Sequence, residues 1–135
     1  HAWLNANAKL DWDINKPTLR IGDGTYIGRF VHINAFQSVT IENNVLIADR
    51  VYISDADHHF EDVDIPIKKQ GDSFKGPVIL KEGCWIGIGV VILPGVTIGK
   101  NSIVGANSVV TRDVPEYSIV AGIPAKIIKK LKGEK

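Results

Sequence analysis

Between Leu80 and Val110 an aliphatic side chain returns at every sixth position: Leu80, Ile86, Ile92, Ile98, Val104 and Val110. Four residues after each stands a small or apolar one: Cys84, Val90, Val96, Ser102, Ser108 and Val114. Turn formers fill the space between, as in Glu82-Gly83, Pro94-Gly95 and Lys100-Asn101. The same beat runs through Ile21, Ile27 and Ile33, then resumes at Ile41, Ile47 and Ile53 after a slip of two residues. A short fixed period marks a repeat architecture. Each unit has room for a short strand and a bend. Side chains alternate along a strand, so the aliphatic position and the one two residues before it face inward, and the residue between them faces outward. Such a strand cannot bury its apolar face alone. Stacked coils joined by parallel ladders are therefore predicted. A β-sandwich is the competing architecture, but its strands recur roughly every 8–12 residues.

The outward positions hold Tyr26, His32, Tyr52, Trp85, Val91, Ile103 and Val109. With three units per coil, Trp85 stacks on Ile103 and Val91 on Val109. Two adjacent apolar faces point to burial against another subunit or a ligand. Two segments leave the beat. Residues 54–76 form a long excursion with His58, His59, several acids and Lys68-Lys69. Long insertions in compact domains are commonly functional. Near the end, the spacing of Ile127, Ile128 and Leu131 predicts a short amphipathic helix over Ala125–Leu131, with Pro124 just before its start. The expected organisation is an N-terminal cap or remnant segment over 1–18, carrying Trp3 and Trp12, a solenoid over 19–114, and a tail with the helix over 115–135. The chain has no methionine, so His1 is expected to follow a processed or trimmed start.

Composition narrows the reading further. A chain of 135 residues suits one domain with a single core. Its 19 Ile, 14 Val and 13 Gly against 7 Leu favour strands and turns. The 16 basic and 15 acidic residues leave a net charge of +1, which gives no support to nucleic-acid coating or a polybasic membrane role. The single cysteine, Cys84, excludes an intramolecular disulfide framework and a Cys-rich zinc site. No apolar run approaches the roughly 20 residues of a membrane span, and no secretory leader is expected from the opening residues.

The stretches Gly83-Cys84-Trp85-Ile86-Gly87, Pro94-Gly95-Val96-Thr97-Ile98-Gly99 and Ile103-Val104-Gly105-Ala106 resemble the hexapeptide-repeat acyltransferases. So do Val110-Thr111-Arg112-Asp113-Val114-Pro115 and Ala121-Gly122-Ile123-Pro124-Ala125-Lys126. Within that family the sequence is most similar to sugar O-acetyltransferases of the galactoside, maltose, nodulation-factor, capsule and lipopolysaccharide types. The resemblance covers residues 19–131. It implies an all-β left-handed parallel β-helix, assembled as a homotrimer with active sites at subunit interfaces. It implies acetyl-CoA as co-substrate, a carbohydrate acceptor, no metal and a cytoplasmic setting. The run from Val51 to His58 lines up with the family's catalytic base, which becomes His58. His59, one step out of register, is the alternative base and an acceptor contact. Asn34 matches an asparagine that contacts the acceptor. Trp85 matches a tryptophan lining the pantetheine groove, and Ile88 and Ala106 match positions whose backbone amides bind the thioester and pantetheine arm. Thr111, Arg112, Lys126 and Lys129 match positions near the nucleotide end of coenzyme A. The doubled histidine departs from the family pattern, as does an N-terminal region lacking the acceptor-binding helices of the galactoside and maltose enzymes.

The chemistry is consistent with these residue types. A sugar hydroxyl is a poor nucleophile near neutral pH, and histidine, with an ordinary pKa of about 6.5, is the natural base. The implied reaction is direct attack in a ternary complex, with backbone N–H groups holding the oxyanion. One of Asp55, Asp57 and Glu61 is a candidate to orient His58; a solvated acidic loop explains them as well. Cys84 sits at an inward position and reads as a small hydrophobe rather than a nucleophile. His32 reads as a surface or interface residue. Lys126, Lys129 and Lys130 either pair with coenzyme phosphates or form a solvated basic end. Other functions compete. A γ-type carbonic anhydrase needs three convergent histidines, and adjacent His58 and His59 do not supply that spacing. Serine acetylation goes with a large helical N-terminal domain. N-acetylation of a nucleotide-linked amino sugar would use the same base and groove. A non-catalytic solenoid scaffold or binding module is the alternative outside the enzymes.

Overall fold

A computed structural model describes residues 2–6 and 19–132. Trp12 and the rest of 7–18, where much of the expected cap falls, lie outside the described residues. A first strand, β1 (Trp3–Ala6), is followed by one coil made of β2 (Leu19–Ile21), β3 (Tyr26–Ile27) and β4 (His32–Ala35). The second coil holds β5 (Val39–Ile41), β6 (Leu46–Ile47) and β7 (Tyr52–Ser54). The excursion contains β8 (Ala56–His58), one helical turn α1 (Ile67–Gln70) and β9 (Asp72–Phe74). The third coil is β10 (Val78–Leu80), β11 (Trp85–Ile86) and β12 (Val91–Ile92), and the fourth is β13 (Thr97–Ile98), β14 (Ile103–Val104) and β15 (Val109–Val110). Two longer strands, β16 (Ser118–Gly122) and β17 (Ala125–Lys130), close the described chain.

Successive strands of a coil belong to three different sheets. Sheet I stacks β1, β4, β7, β12 and β15; sheet II stacks β2, β5, β10 and β13; sheet III stacks β3, β6, β11, β14, β16 and β17. Neighbours one coil apart are parallel and in register, as in the row Tyr26, Leu46, Trp85, Ile103, Ile119. The result is a three-sided parallel β-solenoid, not a sandwich. Both expected stacks form: Trp85 opposite Ile103 and Val91 opposite Val109.

The six-residue beat becomes the core. Ile33, Ile41, Ile47, Ile53, Leu80, Ile86, Ile92 and Ile98 are all fully buried, with Val31, Val39, Val45, Val51, Val78 and Val90 beside them. Burying each such side chain contributes about 1.5–3 kcal/mol, and the parallel ladders satisfy the backbone that the burial encloses. The corners are tight. Gly89 has φ 70°, and a Cβ there would collide with Asn107 Oδ1 of the next coil. Asn107 itself has φ 58°, a conformation asparagine tolerates better than most side chains.

The slip between Ile33 and Ile41 is an enlarged corner at Phe36–Ser38, held by Asp55. This carboxylate is fully buried. It accepts hydrogen bonds from the backbone N–H groups of Phe36, Gln37 and Ser38, each at 2.7 Å.

The expected helix over Ala125–Leu131 is not formed; this segment is β17, antiparallel to β16. The reason is the exposed edge of sheet III. Once β16 pairs with β14, its far side carries unpaired backbone groups, and an extended strand satisfies a whole row of them. A short isolated helix of about two turns would satisfy almost none. Pro124 therefore sits in the reversal rather than at a helix start, and its peptide bond with Ile123 is cis.

Candidate active site

The excursion leaves the solenoid after β7 on sheet I and returns at β10 on sheet II, so it projects from the edge between those sheets. Its two strands pair antiparallel, with Ala56 opposite Phe74, Asp57 opposite Ser73 and His58 opposite Asp72. This register brings His58 Nδ1 to 3.1 Å from Asp72 Oδ1. Both side chains remain largely solvent-accessible, at 65% and 52%. Nδ1–H donating to Asp72 leaves Nε2 as the ring nitrogen with a lone pair.

His59 is held differently. Its backbone N–H donates to the Gly71 carbonyl at 2.9 Å, and its Nδ1 lies 3.5 Å from Glu61 Oε2. Backbone N–H groups, that of Glu61 first and then that of Phe60, keep the Glu61 carboxyl below the usual carboxylate range, helped by His59 and Lys75. Lys75 Nζ sits 4.0 Å from both Asp57 Oδ1 and Glu61 Oε1. Asp57 and Glu61 thus have partners other than His58. Asp55 is spent on the enlarged corner. The carboxylate on His58 is Asp72, which sequence reading missed. It lies on the returning strand, and only a hairpin register reveals the pairing.

Asn34 ends near the root of this hairpin. Its amide donates to Ser54 Oγ at 3.3 Å, and that hydroxyl donates to the Ala56 carbonyl at 2.8 Å. Asn34 and Ser54 stand opposite each other on sheet I. His32 lies two residues before Asn34, between Trp3 and Tyr52, with ring centroids 6.3 Å and 5.2 Å away.

The candidate coenzyme residues fall elsewhere. Trp85 is 47% exposed on the outer face of sheet III. Ile103, Ile119 and Lys129 continue its row across the sheet, a span of about 14 Å at the usual strand spacing. Lys126 stands opposite Ala121 on the same hairpin. Ile88 and Ala106 occupy matching corners one coil apart between sheets III and I, joined by the Asn107 N–H donating to the Ile88 carbonyl at 2.8 Å. Thr111 and Arg112 are exposed at the corner after β15, on the same edge as the excursion. His58, Thr111 and Arg112 thus lie on one edge of the prism, Ile88 and Ala106 on another, and Trp85, Lys126 and Lys129 on sheet III.

Cys84 is fully buried among the core aliphatics. Burial pushes its thiol up to about 12, which removes the thiolate needed for nucleophilic attack. Among the described residues, no three His, Cys, Asp or Glu side chains converge as a metal site, and no helix is long and apolar enough to cross a membrane.

The family model described as bacterial transferase hexapeptide (six repeats) matches residues 77–112. The galactoside O-acetyltransferase of Escherichia coli strain K12 is 36% identical over 133 residues, covering 97% of this chain and 62% of that protein. A hexapeptide-repeat acetyltransferase of Vibrio cholerae is similar at TM-score 0.78 and 39% identity, over 86% of this chain and 64% of that one. Solved with acetyl coenzyme A, the Vibrio protein is similar at TM-score 0.60 and 30% identity, over 84% and 72%. An N-acyltransferase of Bacillus cereus, in complex with dTDP-4-amino-4,6-dideoxyglucose and coenzyme A, is similar at TM-score 0.75 and 27% identity, over 85% and 64%. The chain spans about half the length of the curated relatives it matches. This chain belongs to the hexapeptide-repeat acyltransferase family.

Proposed function

We propose that the chain carries the catalytic solenoid of an acetyl-CoA-dependent O-acetyltransferase acting on a carbohydrate hydroxyl, with the coils wound left-handed. The observation that carries the reading is the His58–Asp72 pair at 3.1 Å, displayed on a hairpin that projects from the solenoid. Asp72 holds the Nδ1–H tautomer and fixes the ring. His58 Nε2 then takes the proton from the acceptor hydroxyl as its oxygen attacks the thioester carbonyl. Backbone N–H groups at the Ile88 and Ala106 corners hold the developing oxyanion. As the carbon–sulfur bond breaks, His58 returns the proton to the departing thiolate, leaving an acetyl ester and free coenzyme A. Acetyl-CoA is the donor substrate, and a cytoplasmic setting follows from it. Trp85 supports its pantetheine arm, and Thr111, Arg112, Lys126 and Lys129 face its phosphates. Asn34 and His59 contact the sugar.

A homotrimer fits this assignment. His58 and the Ile88–Ala106 corners lie on different edges of one prism, and a neighbouring copy laid alongside completes the site between subunits. The apolar outward row of Tyr26, Leu46 and Trp85, exposed at 58%, 43% and 47%, is the kind of surface a partner covers.

The test is free-thiol release from acetyl-CoA with a panel of methyl galactoside, methyl glucoside, maltose and N-acetylglucosamine, comparing the parent with His58→Ala. The expected result is acetylation of at least one sugar and a loss of about a hundredfold or more in H58A, with coenzyme A binding retained. Full turnover by H58A sinks the base assignment and moves the role to His59. A second reading, N-acylation of a nucleotide-linked amino sugar, draws support from the Bacillus cereus likeness. It prevails if only an amino sugar on a nucleotide carrier is turned over. Absence of any coenzyme A binding by the folded chain favours the scaffold alternative.

A further inference from the structure

Asp55 ties the stretch from Asn34 to Ser38 to both strands of the excursion hairpin. Its carboxylate takes the N–H groups of Phe36, Gln37 and Ser38 at 2.7 Å each. Its own N–H donates to the Asn34 carbonyl at 3.4 Å, and its carbonyl accepts from the Lys75 N–H at 3.0 Å. The first contact shapes the corner that follows Asn34. The last pins the returning strand just beyond Phe74, which stands opposite Ala56. The distance from Asp55 to His58 is then one short strand. A slip of one residue in that ladder would take Asp72 away from His58 and reverse the side-chain faces.

From this geometry we propose that Asp55 is a positioning residue for the reaction. It sets the hairpin register that pairs His58 with Asp72, and it fixes Asn34 relative to that pair. The inference rests on the reading of His58 as base. It assigns Asp55 no contact with substrate, since the side chain is fully buried. Its chemistry is specific to a carboxylate. Three converging N–H donors need two anionic oxygens. An amide in the same place would turn a donor toward donors and leave buried N–H groups unpaired.

The experiment compares the parent chain with Asp55→Asn and Asp55→Glu, using acetyl-CoA and whichever sugar of the panel above is acetylated fastest. Turnover is expressed per coenzyme A site counted by calorimetry. The expected result is a fall of about tenfold to a hundredfold in kcat per site. Acceptor KM rises severalfold, and coenzyme A Kd stays within about twofold. Adding Asp72→Asn to D55N costs less than it does in the parent, because the pairing is already lost. Unchanged turnover per site overturns the assignment, and so does a loss that simply multiplies with that of D72N. If neither variant binds coenzyme A, Asp55 is a scaffold residue alone and the assignment falls. Full activity in His58→Ala defeats the underlying reading instead, whatever the Asp55 variants do.

Discussion

His58 and Asp72 face each other across the excursion hairpin with Nδ1 and Oδ1 3.1 Å apart. Both are too exposed for this pair to contribute much stability. Its value is orientation. Asp72→Asn keeps an oxygen within reach of Nδ1–H but loses the charge, and the amide can flip to present a donor. Turnover is expected to fall about tenfold or more, with the melting temperature and coenzyme A affinity unchanged. Steady-state kinetics beside a thermal melt checks this, and an equal loss of stability and activity would count against an orienting role.

Trp85 presents its indole on sheet III, in one row with Ile103, Ile119 and Lys129. Trp85→Ala should weaken coenzyme A binding about tenfold, equivalent to about 1.4 kcal/mol. Titration calorimetry reads this without an acceptor. An unchanged Kd removes Trp85 from the groove.

Cys84→Val should leave both activity and stability near neutral pH intact, since valine fills the equivalent inward positions at Val45, Val90 and Val96. The thiol's effect on stability is confined to alkaline pH. Its pKa rises from 9.0 to about 12 on folding. Below pH 9 both states are protonated and the term is constant. Between pH 9 and 12 only the unfolded chain loses the proton, so stability falls as pH rises, by at most about 1.4 kcal/mol per unit. Urea unfolding at pH 8 and pH 10.5 should show a smaller alkaline loss in C84V than in the parent. Equal losses would show that this thiol does not drive the slope.

Gly89→Ala meets two obstacles, a φ of 70° and the Asn107 side chain of the next coil. The expected cost is about 1–3 kcal/mol, seen as a lower urea midpoint with an unchanged slope. A midpoint equal to the parent's would mean that the corner relaxes freely.

The solenoid was legible because its signal is local and repeated. Leu80 to Val110 reports the inward row six times over, and burial follows that row residue for residue. The excursion is expected where the beat stops. What lies inside it was not legible, because the His58–Asp72 pairing depends on an antiparallel register that no period announces. Asp55 was legible as a carboxylate near His58 but not as the anchor of a corner some twenty positions earlier. Such a contact arises only when successive coils are stacked. The segment from Ala125 to Leu131 misled for a related reason. Ile127, Ile128 and Leu131 suit a helix face, but what decides their conformation is the open edge of β16, a tertiary feature.

The direction of β17 bears on how long the prism can grow. Coils of near-identical shape, stacked in parallel, leave a terminal row of backbone groups that another molecule's first coil could extend, which is a route to fibres. On sheet III that row is covered by a strand running the opposite way, carrying Lys126, Lys129 and Lys130 along it. A coil added in the direction of the others would run antiparallel to β17 and would meet a line of like charge. The reversal at Gly122–Ala125 thus replaces the bare edge of β16 with a lysine-bearing strand, and charge rather than hydrogen-bond geometry opposes an added coil at this corner.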